Sequence, residues 1–190
     1  MTVSGRVRTK GGRTRRRLLD AAAAEVARNG RAGASLSAIA AAAGLKAGSI
    51  YFHFESRERL IEAVLEEGLR ATLERLDAAL AAEGDHAPPA ARLRAAIRAH
   101  AVAAHELRDY TVAVLAPDFP DGGTAGALRR DYVGRWAELV AEAQSTGHLP
   151  DSVDPRLVRD LLFGALNAVS LAGRPPAEAA SAVYALLRLG

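Results

Sequence analysis

The 190-residue chain contains no cysteine. That removes disulfides, thiolate metal sites and cysteine nucleophiles together, and it fits a reducing cytoplasm. Lysine is nearly absent too: of 25 basic residues only Lys10 and Lys46 are Lys, while Ala is abundant, a mark of genome base composition rather than of function. No apolar run approaches the roughly 20 residues that span a bilayer. No hydrophobic segment follows the basic N-terminus, so neither a secretory signal nor membrane contact is expected, and the expected location is the cytoplasm. The motifs of catalysis are missing as well: there is no nucleophile elbow, no paired-carboxylate motif and no phosphate-cradling glycine loop. No enzymatic activity and no cofactor are expected. The five His do not suggest a metal. His100 and His105 stand about 140° apart around a helix, and His86 and His148 fall in loops without a partner.

What is present is 49% apolar and 25% charged, the composition of a soluble globular chain with ample material for a core. The charge is unevenly placed. Residues 1–60 carry twelve Lys/Arg against four Asp/Glu, a net of +8, and the remainder nets −5. A basic head on an acidic body is the footprint of polyanion binding. Residues 1–12 read as a basic, glycine-rich flexible arm, either a solubilising tail or a segment that orders in a DNA minor groove. Arg13 and Arg15 extend its positive run.

Helical periodicity runs through the chain and no strand alternation does, so the expected fold is all-α with about nine helices. A first helix, from about Arg13 to Asn29, carries Leu18, Leu19, Ala22 and Val26 on one face and ends at Gly30. Ser56 caps a later helix whose stripe (Leu60, Ile61, Val64, Leu65, Leu69, Leu73, Leu76, Leu80) continues to about Ala82. That is roughly 26 residues, or about 39 Å, long enough to leave a small head and enter a second domain. Further helices are expected from about Pro89 with a break near residues 105–109, from Thr124 to Gly147, from Asp154-Pro155 to about Ala172, and from Pro175-Pro176 to the end.

Between the first and the long helix lies S-L-S-A-I-A-A-A-A-G-L-K-A-G-S-I-Y-F-H-F-E-S-R, residues 35–57. Ser35 is placed as an N-cap, and Leu36, Ile39, Ala40 and Ala43 form one apolar face. Gly44 is suited to a left-handed turn. A short second segment opens on the small residues Ala47, Gly48 and Ser49. Helix, glycine turn and small-nosed helix suit a DNA major groove, because small side chains let the backbone approach base edges. A helical hairpin in an ordinary core fits the same spacing. Ile50 and Phe54 belong to a core in either case, but Tyr51, Phe52 and His53 cannot all turn inward from one short helix.

From Arg13 to Val64 the chain resembles the DNA-binding domain of the tetracycline-repressor (TetR) family. Asn29-Gly30, Ser35, Ile39-Ala40, Ala43-Gly44-Leu45, Gly48-Ser49-Ile50-Tyr51, Phe54, Ser56-Arg57-Glu58 and Leu60 stand at the family's spacing. Three positions depart from it: Lys46 and Ala47 replace the usual Ser-Lys, and Arg31 stands where an aromatic usually packs. The resemblance implies a helix-turn-helix head over 13–58 and an effector-binding, dimerising body over 59–190. It implies that Ser37, Gly48, Ser49, Tyr51, Phe52 and His53 face the groove or its phosphates, with Ala47 in the nose. Base readout is assigned to Ser37, Ser49 and His53, and phosphate contact to Tyr51, Arg57 and Lys46.

For the body the resemblance implies a largely apolar cavity, with Tyr110, Tyr132, Trp136, Phe163 and Asn167 as lining candidates beside Leu73 and Ile97. Each of these could equally be plain core, with Asn167 tied to a backbone carbonyl. Gly164 to Asn167 after Asp154-Pro155 is similar to members that sense lipid-like or acyl-CoA effectors. The last two helices are apolar beyond one face; burial inside one subunit would explain some of this, and the resemblance implies that they pair with those of a second copy, giving a homodimer whose two heads read a palindromic operator in double-stranded DNA. The resulting expectation is a repressor released by a small effector. A non-specific nucleoid-type protein, an activator or corepressor-dependent regulator, and an effector module with a silent head are the alternatives.

Overall fold

The computed structural model describes residues 10–84 and 86–189, with Lys10 in backbone only. Among these residues every regular element is helical, as expected. They are α1 (Lys10–Gly33), α2 (Leu36–Ala42), a 3₁₀ segment (Ala47–Phe52), α3 (Arg57–Glu83), α4 (Pro89–Glu106), α5 (Arg108–Leu115), α6 (Gly123–Ser145), α7 (Pro155–Leu171) and α8 (Pro176–Leu187). Residues 10–12, assigned above to an arm, are instead the first turn of α1. The rest of that arm lies outside the described residues.

The head forms around the face of α1 that holds Leu18, Leu19, Ala22 and Val26, all buried. The backbone leaves helical geometry at Gly30 (φ 70°), where the sequence marks the helix end, and adds a short turn to Gly33. Glu25 then reaches across: Arg28 Nη2 donates to its Oε2 at 3.0 Å and Ser35 N–H to its Oε1 at 3.3 Å. The Arg28 guanidinium, followed by that backbone N–H, holds the Glu25 carboxyl below its ordinary value. Ser35 in turn accepts from Ala38 N–H, as an N-cap should. Ile39 and Ala40 are buried on α2, and Gly44 turns the chain at φ 66°.

The second segment is tighter than an α-helix. Lys46 precedes it without any side-chain cap, and only Ile50 of its residues is buried. Phe54 then closes the head core beneath it. Ser56 caps α3 by accepting from Arg59 N–H at 3.1 Å. The apolar stripe of α3 serves two clusters. Leu60 to Leu69 join the head residues together with Tyr110, Ala113, Phe119 and Ala125, whereas Leu73 and Leu76 join the body with Leu93, Ile97, Trp136 and Leu166. In the body α4 lies between α3 and α8 and also packs on α6 and α7, and α5 lies against both α1 and α3.

Gly44 and Gly134 offer a controlled comparison. A Cβ at Gly44 meets a positive φ and lies 2.7 Å from Arg17 Nη2, whereas at Gly134 nothing stands within 4 Å and the backbone is helical. Gly44→Ala is expected to cost about 1–2 kcal/mol through left-handed strain, and Gly134→Ala to add about 0.5–1 kcal/mol. Urea unfolding of both variants checks the opposite signs.

Candidate functional site

Two regions stand out, one on the head and one in the body. On the head, Ser37, Lys46, Ala47, Gly48, Tyr51 and Phe52 are exposed and Ser49 and His53 half-buried. Ser37 stands in the first turn of α2, and the others in or beside the 3₁₀ segment. Tyr51 is 59% and Phe52 88% exposed, so neither belongs to a core, and the hairpin-in-a-core reading fails there. Arg13 and Arg15 are exposed on α1, and the Arg15 guanidinium lies 5.0 Å from the centre of the Phe54 ring.

Four other arginines of the head are bonded to groups within the fold. Arg17 donates to the Ala43 carbonyl and so fastens α1 to the turn at Gly44. Arg16 binds Asp20 at 2.9 Å and Glu67 of α3 at 2.7 Å. Arg57 donates Nε to the Ala34 carbonyl at 3.0 Å and Nη2 to the carbonyls of Arg31 and Ala32. Arg57 therefore clamps the end of α1 to the start of α3 and does not extend toward a phosphate, a correction to the role assigned from sequence. Arg31, one of the three positions that depart from the family pattern, bonds the Asp118 carbonyl and carboxylate in the loop before α6. An ion pair thus ties head to body at that point.

In the body a cavity of about 300 Å³ opens between α3, α4, α5, α6 and α7. Tyr110, Tyr132, Phe163 and Asn167 line it as expected from sequence, with Gly68, Leu69 and Thr72 of α3 on one wall. Leu73, Ile97 and Trp136 do not line it. They are buried in the body core behind the wall, and Trp136 is wholly buried, packing edge-on against Phe163 at 5.0 Å between ring centres. Sequence reasoning also misses His100 as a lining residue. It was weighed only as a metal ligand, although it falls seven residues after Leu93 and three after Ile97, on the inward face of α4.

His100 holds the cavity's polar centre. Its Nδ1 lies 2.7 Å from the Tyr132 hydroxyl and its Nε2 3.1 Å from Asn167 Oδ1. Asn167 is therefore tied to a side chain and not to a backbone carbonyl. Burial pushes the His100 imidazole down to about 4, against the opposing pull of the Asn167 bond, so it is neutral near pH 7. With Asn167 Oδ1 accepting from Nε2–H, Nδ1 accepts from the Tyr132 hydroxyl. The Phe163 ring stacks on both partners, 5.0 Å from His100 and 5.6 Å from Tyr132. Charge enters only at the rim. Arg159 is paired with Asp160 at 2.8 Å, and Arg129 stacks on Phe119 at 4.6 Å.

Tyr110 belongs to the cavity and to the head at once. Its ring lines the cavity, while its hydroxyl donates to Asp20 Oδ1 of α1 at 2.7 Å. Gly68 admits it, since a Cβ there would lie 3.0 Å from the Tyr110 Cβ. Burial, and then Asp20, push the phenol upward, so it remains a donor at neutral pH.

Residues 18–64 match the family described as bacterial regulatory proteins, tetR family, and residues 86–171 match the tetracyclin repressor-like C-terminal domain. Among solved structures the chain is similar to ketosteroid transcriptional regulator KstR2 of Mycobacterium tuberculosis, with TM-score 0.75, 22% identity, and 98% of this chain and 96% of that one covered. It is similar to AibR in complex with isovaleryl coenzyme A and operator DNA, with TM-score 0.73, 22% identity, and 91% and 97% covered. It is also similar to FadR from Bacillus subtilis in complex with stearoyl-CoA, with TM-score 0.68, 19% identity, and 90% and 96% covered. At these identities the likeness is one of fold. No curated protein matches the sequence.

The neutral His100 gives the fold a pH dependence of known sign. The folded value of about 4 lies below the unfolded one near 6.5. Its contribution is therefore complete above pH 6.5 and is lost as pH falls toward 4, by about 3 kcal/mol in all. Urea unfolding at pH 7, 5.5 and 4.5 should show the wild type losing about 2 kcal/mol more than His100→Gln between pH 7 and pH 4.5.

Proposed function

The chain belongs to the TetR family of bacterial regulatory proteins, and from there we propose that it is a homodimeric, sequence-specific DNA-binding transcriptional regulator in the cytoplasm. We infer a repressor, released from a palindromic operator by a small, largely apolar effector. The observation that carries this reading is that one helix serves both sites: α3 supplies Leu60 to Leu69 to the head core and Gly68, Leu69 and Thr72 to the cavity wall.

In this reading residues 13–58 form the DNA-binding head and 59–190 the body. Ser37, Ser49 and His53 read bases, while Tyr51, Lys46, Arg13 and Arg15 contact phosphates and set position. Two heads on a two-fold axis meet successive major grooves when about 34–36 Å apart. The surface for the second copy is the outer face of α7 and α8. Leu161 is 65% and Leu186 80% exposed there, beside an apolar groove that also holds Val158, Leu162 and Val183. Isologous pairing buries that face.

The effector occupies the cavity between α3 and α7, whose volume falls at the small end of ligand pockets. Its apolar body lies against Tyr110, Tyr132 and Phe163, and an anionic end meets Arg129 at the rim. Lipid-like acids and their CoA thioesters fit that description, and the acyl-CoA complexes of AibR and FadR support it. The ligand releases DNA by favouring the dimer state whose head spacing no longer fits.

Selection from a random duplex pool at physiological salt tests the DNA reading. A palindromic site bound at least a thousandfold tighter than random duplex is expected, and equal binding to both would identify a non-specific nucleoid-type protein instead. Leu161→Glu combined with Leu186→Glu should yield monomers in sedimentation and weaken binding to that site at least a hundredfold.

Coupling is tested with fatty acyl-CoA thioesters from isovaleryl to stearoyl. The thioester that binds should bind more weakly when operator is present, by the same factor that it weakens operator binding. Tyr110→Phe keeps the ring in the cavity wall and removes the bond to Asp20, so it should reduce that factor while changing thioester affinity to the free protein less than threefold. Calorimetry with and without operator supplies both numbers. An unchanged thioester affinity on operator would exclude that thioester as a releasing effector.

A further inference from the structure

Six large apolar side chains stand exposed among the described residues: Tyr51, Phe52, Leu115, Leu157, Leu161 and Leu186. Leu157, Leu161 and Leu186 share the α7–α8 face, Leu115 edges the cavity, and Tyr51 carries a hydroxyl that suits a phosphate. Phe52 is left without such an account. At 88% exposure it is the most solvent-exposed of the six, and it has no polar atom.

Its projection is imposed by its neighbours. Ile50 is wholly buried and Phe54 nearly so, and the carbonyl of Ile50 accepts from His53 N–H at 2.8 Å and from Phe54 N–H at 3.0 Å. With both anchors inward, Phe52 between them must point out. In a 3₁₀ segment residues three apart eclipse, so Phe52 stands over Ser49, and Tyr51 over Gly48 on the adjoining face. Nothing stands within 4 Å of the Cβ position at Gly48, so the backbone beside Phe52 is open to close approach.

A phenyl ring makes no conventional hydrogen bond to a phosphate oxygen or to a base donor or acceptor. In the major groove the thymine 5-methyl is the apolar group that the four bases offer. We propose that Phe52 is a specificity-determining residue that reads thymine methyl groups, one in each half-site, beside the hydroxyl of Ser49. This rests on the reading of the chain as a sequence-specific DNA-binding regulator. Removing one buried methyl costs about 0.8 kcal/mol, about fourfold in affinity, and so about fifteenfold over two half-sites.

The test uses the full-length protein and the duplex enriched from a random pool. Each symmetric pair of thymines is replaced in turn by deoxyuridine, which deletes the methyl and leaves pairing intact. One pair is expected to weaken wild-type binding about fifteenfold, and Phe52→Ala should bind the thymine and uracil duplexes equally. Phe52→Leu keeps an apolar contact and should retain a reduced preference, which guards against a folding defect in the alanine variant. If no pair costs the wild type more than twofold, the ring packs on the sugar–phosphate backbone and the inference is overturned. It is overturned equally if Phe52→Ala shows the wild-type preference. A pool in which no sequence is enriched overturns the proposed function itself, and this inference with it, so the two failures appear at different stages.

Discussion

One helix has to satisfy two hydrophobic cores, and most of the architecture follows from that constraint. α3 is 27 residues long, about 40 Å at 1.5 Å per residue. Its stripe is buried by head residues as far as Leu69 and by body residues from Leu73 onward. At the changeover stand Gly68, Leu69 and Thr72, which form the cavity wall. The cavity thus sits where the helix passes from one core to the other. Gly68 deepens that gap by offering no side chain, and Tyr110 fills it from α5.

Shared burial alone would leave the head free to swing on the N-terminal end of α3. Polar ties on α1 prevent that. Arg16 reaches Glu67, Tyr110 reaches Asp20, and Arg31 reaches Asp118, so α1 is fastened to α3, to α5 and to the loop before α6. These groups are partly exposed, and each tie taken singly contributes little. Their effect is geometric: a head held at three separate points moves with the body as one piece. The Arg57 clamp on the carbonyls of Arg31, Ala32 and Ala34 then makes the head itself rigid.

The sequence disclosed the features that depend on local chemistry. Gly44 with a positive φ, Ser35 and Ser56 as caps, and the helix over 57–83 are encoded within a few residues of where they act. Arg57 is misread from sequence, and the bond made by Asn167 is not foreseen, because their partners lie far along the chain, at residues 31–34 and at His100. The count of positive charge in the first 60 residues was correct as arithmetic. It could not show that Arg16, Arg17, Arg31 and Arg57 are bonded within the fold while Arg13 and Arg15 stand exposed. The cavity was half-legible for the same reason. Aromatics at helical spacing mark an interior, but whether Trp136 or His100 faces an empty space depends on how five helices meet.

The polar centre of that cavity constrains what can enter it. His100 holds Tyr132 and Asn167 through its two ring nitrogens, and the imidazole is neutral. A ligand group that displaced either partner would break a buried hydrogen bond, and leaving one of the three unpaired costs about 1–3 kcal/mol. The imidazole is therefore closed to a guest, and any polar contact at the cavity's centre falls to the Asn167 amide or the Tyr132 oxygen. A ligand's charged or strongly hydrated end is better placed at the rim, where Arg129 lies over Phe119 and has no carboxylate partner among the described residues. The inner end then presses on Phe163 and Tyr110. Only Tyr110 of these lining aromatics bonds to α1, so steric pressure in the cavity has a direct route to the head.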